Sequence, residues 1–330
     1  MSETRPPSER APSEKAIEPA QIFRNRLAKM ARHLRRWPSR GITCYRIYDH
    51  DVREVPLVVD RYGDKLHLCE YEQGHERSPE EHREWLDLMV RTAAEVLGVE
   101  VGDIFQKRRE RQADFAQYEK ASSEGRVFTV TEGGLKFLVN LSDYIDTGLF
   151  LDHRITRAKV REAASGKRFL NLFAYTGSFT VYAAAGGAAS TTTVDLSNTY
   201  LEWARSNMRL NGFEGRDHRF IRADAMAFLR GHSPGPAYDL AVVDPPTFSR
   251  SKTADLFDVE RHHPELLNRL IRLMPPGGVI FFSTNFRKFR LAEAEIRGVE
   301  VREISRQTIP PDFHDRKIHR CWRMTVTGTT

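Results

Sequence analysis

Residues Asn171-Leu-Phe-Ala-Tyr-Thr-Gly-Ser-Phe179 decide the fold. The apolar run from Arg168 to Ala174 has the length of a buried strand, and the residues from Thr176 to Ala185 carry a helical pattern. Gly177 falls at the joint between them, where a residue without Cβ lets the backbone come close to a ligand. The spacing is not the Gly-x-Gly-x-x-Gly of a dinucleotide fold. In an open α/β sheet, ligands bind beyond the carboxyl ends of the strands, at the topological switch point.

Reading outward, strands are expected at Arg168–Ala174, Thr191–Asp195, Arg219–Ala223, Asp239–Asp244, Val279–Thr284, Val301–Gln307 and His319–Thr325. Helices are expected between them, most clearly at Thr176–Ala185, Asn198–Asn211 and Val259–Met274. Such alternation implies a mostly parallel sheet covered on both faces. Polar groups recur at the strand ends. Asp195 closes the second strand, where a carboxylate can accept hydrogen bonds from two ribose hydroxyls. Asp224 follows the third, within reach of an adenine amino group. Asp244-Pro245-Pro246-Thr247-Phe248 closes the fourth. One such aspartate alone can be the N-cap of the next helix; an ordered set of strand-end groups describes one cofactor cleft. Where a transferred group must line up with its nucleophile and its leaving group, positioning supplies much of the rate. Two successive prolines fix φ twice and present a rigid slot to a planar base, on which Phe248 can stack.

The N-terminal part reads differently. Residues 1–20 are rich in Pro, Ser and Glu and are expected to form a disordered tail. Residues 21–125 are expected to form a small basic α+β domain, and 126–330 the catalytic domain, with 126–166 as a hairpin and lead-in segment. The small domain begins with a helix, residues 21–37, whose apolar positions are Phe23, Leu27, Met30 and Leu34. Between Gln21 and Arg46 stand eight basic residues and no acidic one: Arg24, Arg26, Lys29, Arg32, Arg35, Arg36, Arg40 and Arg46. Lys107, Arg108, Arg109 and Arg111 form a second knot. With a net charge of +6, the chain suits a polyanionic partner. No apolar run is long enough for a membrane span, and no secretory signal opens the chain. Cys44, Cys69 and Cys321 fit neither a disulfide framework nor a zinc site, so a reducing, cytoplasmic setting and no metal are expected.

Several segments together resemble a known family. They are Asp146-Thr-Gly-Leu-Phe-Leu-Asp-His-Arg154, Phe169-Leu-Asn-Leu-Phe-Ala-Tyr-Thr-Gly177, Thr193-Val-Asp195, Tyr200-Leu-Glu-Trp203 and Asp244-Pro-Pro-Thr-Phe-Ser249, joined by Gly41-Ile-Thr-Cys-Tyr-Arg46 and Ile318-His-Arg-Cys-Trp322. The set resembles the C-terminal, guanine-N7 half of the bacterial fused 23S rRNA methyltransferases, from about Phe23 to Met324. The resemblance implies a class I Rossmann-like fold with a mostly parallel seven-stranded sheet, preceded by a small α+β domain. It implies S-adenosylmethionine as cofactor and 23S rRNA, or a large-subunit precursor, as partner. By the same resemblance, Asp195 holds the ribose and Asp224 lies near the adenine. Asn171, Phe173 and Gly177 line the cofactor loop, and Asp152 and Arg154 lie near the methionine end. Asp244, Pro245, Pro246 and Phe248 face the substrate base. Unlike the fused enzymes, this sequence has neither an RNA-binding THUMP module nor a guanine-N2 half.

Two of these motifs are shared with rRNA cytosine-C5 methyltransferases, so the target atom needs its own argument. C5 transfer needs a cysteine nucleophile, and none of the three stands near the Asp-Pro-Pro loop in sequence. Guanine N7 carries a lone pair and no proton to remove, so it needs alignment rather than a strong base. His153 and the pair His262-His263 read chiefly as structural residues. Guanine-N7 transfer on 23S rRNA is therefore the expected activity. The alternatives are cytosine-C5 transfer and an RNA-binding assembly factor with feeble catalysis.

Overall fold

The computed structural model describes residues 14–71, 77–109, 125–143, 146–249 and 257–328. Helix α1 (Glu14–Leu34) opens the described chain. It begins earlier than the expected Gln21, because Glu, Lys and Ala before Pro19 favour helix and Ala20 already packs inward. Strands β1 (Cys44–Asp49), β2 (Leu57–Tyr62) and β3 (Lys65–Tyr71) form an antiparallel meander. Helix α2 (Pro79–Leu97) starts in a capping box between Ser78 and Glu81 and crosses over to β4 (Ile104–Arg109), parallel to β3. Both helices cover one face of this four-stranded sheet. Phe23, Leu27 and Leu34 of α1 and Trp85, Met89 and Ala93 of α2 bury against Leu57, Val59, Leu66 and Leu68.

The hairpin β5 (Val127–Glu132) and β6 (Leu135–Asn140) follows, then a 3₁₀ turn, Leu151–His153, and α3 (Arg154–Ala163). Arg157 of α3 is fully buried and pairs bidentately with the fully buried Glu132 of β5, at 2.7 and 2.9 Å. Tyr182 also donates to Glu132, and Arg157 reaches the carbonyl of Phe150. The lead-in segment is thus tied to the catalytic domain by a closed polar network.

The remaining elements are β7 (Arg168–Leu172), α4 (Ser178–Ala185), β8 (Ser190–Asp195), α5 (Asn198–Leu210), β9 (His218–Arg222), α6 (Ala225–Arg230), β10 (Leu240–Val243), β11 (Phe248–Ser249), β12 (Phe257–Asp258), α7 (Val259–Ile271), β13 (Val279–Thr284), β14 (Val299–Glu303), α8 (Ser305–Thr308) and β15 (Arg320–Val326). Their seven-stranded sheet has the order β14-β15-β13-β10-β7-β8-β9 and is parallel except for β15. This is the expected mostly parallel α/β sheet. The expected strand Val301–Gln307 is only half strand: it ends at Glu303, and Ser305–Thr308 is a helical turn whose Thr308 hydroxyl binds backbone carbonyls. The order reverses between β7 and β10, which opens a crevice at their carboxyl ends. No helix among the described residues is long and apolar enough to cross a membrane.

Three of the eight N-terminal basic residues already have acidic partners in the chain. Arg24 pairs with Glu95, Arg26 with Asp51, and Arg46 with Asp60 and Asp49. Lys29, Arg32, Arg35, Arg36 and Arg40 remain exposed. Of the second knot, Lys107 donates to the Ser142 carbonyl, and Arg111 lies outside the described residues, as does the expected tail over residues 1–13.

Candidate active site

The crevice is a cleft of about 1190 Å³, part of it open to solvent. The β7–α4 loop forms its floor. Phe173 and Tyr175 both take positive φ, 55° and 50°, on either side of Ala174. Such backbone costs roughly 1–3 kcal/mol per residue and persists only where the surroundings enforce it. Here the enforcing bonds are Ala174 N–H to the Val194 carbonyl (3.1 Å) and Tyr175 N–H to Asp195 Oδ2 (2.8 Å).

Asp195 ends β8 and lines the cleft. Its other oxygen accepts the Ser197 N–H at 2.8 Å. Burial raises its pKa to about 6, against the hydrogen bonds from Ser197 and Tyr175. Asp224 lines the cleft and is also the N-cap of α6, accepting the Ala227 N–H at 2.8 Å. The capping and ligand readings hold together, because one carboxylate offers two oxygens. Asp244 follows β10; its Oδ1 accepts the Ser283 hydroxyl at 2.6 Å and its Oδ2 lies 3.4 Å from His153 Nε2. Asp152 Oδ2 accepts from His319 Nδ1 at 2.8 Å. Burial works against Asp152 ionising, but His153 and His319 outweigh it and hold its pKa below the ordinary carboxylate range. Burial lowers the pKa of His153, which stacks on His319 with ring centroids 4.4 Å apart. Asp152, His153 and His319 offer three ligand-type atoms within 4.8 Å of one another, so this corner can hold a proton or a metal ion.

The cleft gathers Asp152, Phe173, Asp195, Asp224, Asp244, Pro245 and Pro246 of the expected residues. Four others stand apart from it. Arg154 turns away, donating to Asp312 (2.7 Å) and to the Cys44 carbonyl (3.0 Å) and covering the Trp37 ring. It is a bolt between the two domains, because a buried guanidinium needs a carboxylate and Asp312 supplies it. Asn171 is buried in the sheet, where its amide donates to Thr180. Gly177 serves packing: a Cβ there would lie 2.6 Å from the Ala204 Cβ of α5, and its φ is +72°. Phe248 is drawn off by the two-residue ladder of β11 with β12, which turns the chain aside just after Pro246 and Thr247.

Residues not expected at the site include His153, Tyr175, Phe179, Tyr200, Asp146 and Asn285. Asp146 and His153 stand inside the quoted Asp146–Arg154 motif. Asn285 follows β13, so the strand-end logic carried one strand further finds it. Its Oδ1 accepts the Thr247 hydroxyl at 3.1 Å, which leaves the amide N–H₂ as a donor beside the Pro245-Pro246 wall. Chemically, the cleft offers acceptors for ribose hydroxyls and an adenine amino group, apolar walls from Phe173, Val194 and Ala223, and carboxylates suited to a cationic ligand. These groups fit S-adenosylmethionine, which carries an adenosine and two positive centres.

A family model described as S-adenosylmethionine-dependent methyltransferase matches residues 77–320. Ribosomal RNA large subunit methyltransferase K of Neisseria meningitidis is 50% identical over 305 residues, covering 92% of this chain and 86% of that protein. Ribosomal RNA large subunit methyltransferase K/L of Pseudomonas aeruginosa is 49% identical over 322 residues, covering 96% of this chain. The chain spans 44% of that longer relative's length. Among solved structures, a methyltransferase complexed with SAH aligns with a TM-score of 0.73 at 22% identity, over 93% of this chain and 82% of that one. A methyltransferase from Streptococcus mutans aligns with a TM-score of 0.71 at 22% identity, over 93% of this chain and 81% of that one. The switch-point cleft, the family match and the Neisseria relative agree: this chain belongs to the S-adenosylmethionine-dependent methyltransferase family, and S-adenosylmethionine is its cofactor.

Proposed function

We propose that the chain methylates N7 of a guanine in 23S rRNA, as free RNA or within a large-subunit precursor. The K and K/L relatives act, by their names, on large-subunit ribosomal RNA. The observation that carries the choice of atom is the make-up of the cleft beside Pro245-Pro246: Asp244 and Asn285 stand there, and no thiol does. Cys44 and Cys69 are buried in the strands of the small domain, and Cys321, buried in β15 opposite Ser283, does not line the cleft. Burial pushes the Cys44 thiol up to about 12 and raises the Cys321 thiol as well, which suits inert packing rather than addition to a pyrimidine.

In this reading, Asp195 accepts the ribose hydroxyls and Asp224 the adenine amino group, each with lone pairs left beyond its backbone partners. Asp146 and Asp152 face the ammonium end. The cofactor supplies an electrophilic methyl group on a cationic sulfur. The chain's part is alignment and electrostatics: Pro245 and Pro246 wall the base, and the Asn285 amide donates to its edge. Asp244, held by Ser283, faces the ring that becomes positively charged when the guanine N7 lone pair takes the methyl group. No base has to remove a proton in this step.

Borohydride reduction followed by aniline cleaves RNA at N7-methylguanine. In 23S rRNA from a deletion strain, one cleavage found in the parent is expected to vanish and to return when the chain is expressed. A deletion strain that keeps every cleavage sinks the proposal.

A further inference from the structure

Two basic segments that the sequence did not single out lie beside the cleft. The first runs from Asn285 to Arg290. It leaves the cleft at Asn285, and Phe289 pins its middle. That ring is buried against His263, Phe282 and Trp322, and the Phe289 carbonyl accepts from Arg320 at 2.6 Å. On either side of this anchor, Lys288 and Arg290 are exposed. The second runs from His314 to His319. It ends at His319, which holds the cleft carboxylate Asp152, and a turn in which Asp315 Oδ1 accepts the Lys317 N–H at 2.9 Å shapes it. Arg316 and Lys317 are exposed on it. An ion pair between Arg287 and Asp315 ties the two segments together. His314 in turn meets Arg26 of α1 at 3.1 Å and pairs with Asp51.

We infer that this strap is the docking surface for the substrate's sugar–phosphate backbone next to the target nucleotide, and that the RNA continues from it towards the exposed basic face of α1. This rests on the reading of the substrate as RNA. Three features support it. Lys288, Arg290, Arg316 and Lys317 have no acidic partner among the described residues. Four unpaired cations on a tied, anchored platform lose little freedom on binding phosphate, which favours affinity. The first segment starts at the cleft residue Asn285 and the second ends at His319, which is bonded to the cleft residue Asp152, so a strand held on the strap has a base within reach of Asn285 and Asp244. The eight-residue N-terminal cluster, by contrast, already spends Arg24, Arg26 and Arg46 on carboxylates of the same chain.

Each phosphate neutralised contributes about −0.7 to −0.9 to the slope of log K against log salt. Replacing Lys288, Arg290, Arg316 and Lys317 together by Ala is therefore expected to flatten that slope by about 3 and to weaken binding roughly 1000-fold near 0.1 M salt. The measurement is fluorescence anisotropy with labelled 23S rRNA fragments from a deletion strain, over a salt series. Tritiated methyl incorporation is followed in parallel, and S-adenosylmethionine affinity is measured by calorimetry. Unchanged cofactor affinity with a flattened slope supports the strap. An unchanged slope in the variant, while the parent protein methylates the RNA, overturns the strap and leaves the rRNA reading intact. Parent protein that binds through the strap yet methylates no rRNA overturns the function and leaves the strap. A lesser quartet, Arg32, Arg35, Arg36 and Arg40 to Ala, is expected to flatten the slope by less; if it flattens the slope more than the strap quartet, the strap is not the main docking surface.

Discussion

The Asp195 carboxylate accepts two backbone N–H groups and still faces the cleft, in a site where burial raises its pKa to about 6. In the proposed role, ribose hydroxyls donate best to the ionised form, so cofactor binding is expected to draw the pKa back down. By linkage, affinity is expected to be level above about pH 7 and to fall roughly tenfold per unit below pH 6. For stability the sign is opposite: a carboxyl whose folded pKa is raised favours the folded state most below its ordinary pKa and loses that contribution as pH rises through 6. Calorimetry between pH 5 and 8 checks the first statement, and Asp195→Asn should bind weakly with no such bend. At Asn285, the Thr247 hydroxyl fixes which end of the amide is free to donate. Asn285→Asp turns that donor into an acceptor facing the acceptor O6 of guanine. A loss of about 100-fold in kcat/KM for RNA is expected, with cofactor affinity unchanged. A parallel drop in cofactor affinity would make Asn285 a structural residue instead.

At the level of elements, the β7–α4 loop, α5 and the hairpin β5–β6 carry the site. Gly177 lets α4 approach α5, and any side chain there meets Ala204 as well as an unfavourable φ. Gly177→Ala is expected to cost about 1–3 kcal/mol, read as a lower denaturation midpoint with an unchanged slope. The pair of Glu132 with Arg157 is wholly buried and holds the turn bearing Asp152 and His153 through the Phe150 carbonyl. Removing one partner leaves a buried charge alone. Glu132→Ala should lose about 3–5 kcal/mol, and cofactor affinity should fall with it, because Arg157, which holds the Phe150 carbonyl, then loses its anchor.

Across the whole molecule, the two domains are bolted together where Arg154 meets Asp312, whose second oxygen accepts the Arg46 N–H at 2.9 Å. Asp312→Ala is expected to destabilise the junction by about 3–5 kcal/mol. Hydrogen exchange should show this as faster exchange of β1 amides, with β7, β8 and β10 less affected. Equal acceleration in both domains would show that the bolt supports one cooperative core rather than a junction.

The sequence by itself determined the parts governed by local period and short-range chemistry. The strand–helix alternation around Phe169–Phe179 implied the parallel sheet, and the polar groups at successive strand ends marked the cleft, because a parallel sheet places those ends side by side. Asp195, Asp224, Asp244, Pro245 and Pro246 were legible for that reason. What only the tertiary structure decided is where side chains with two possible partners go. Arg154 stands one residue from the cleft-lining His153 but turns to Asp312, which lies 158 residues away. Phe248 follows the Pro-Pro wall but is pulled into pairing with residues that come later in the chain. Asn285 gains meaning only beside Thr247. A buried charge or amide takes the partner that packing brings within 3 Å, and no local pattern encodes a partner so far along the chain. The cleft, read first from one glycine loop, is thus a product of the local pattern; the edge where Asn285 meets Thr247 is a product of the fold.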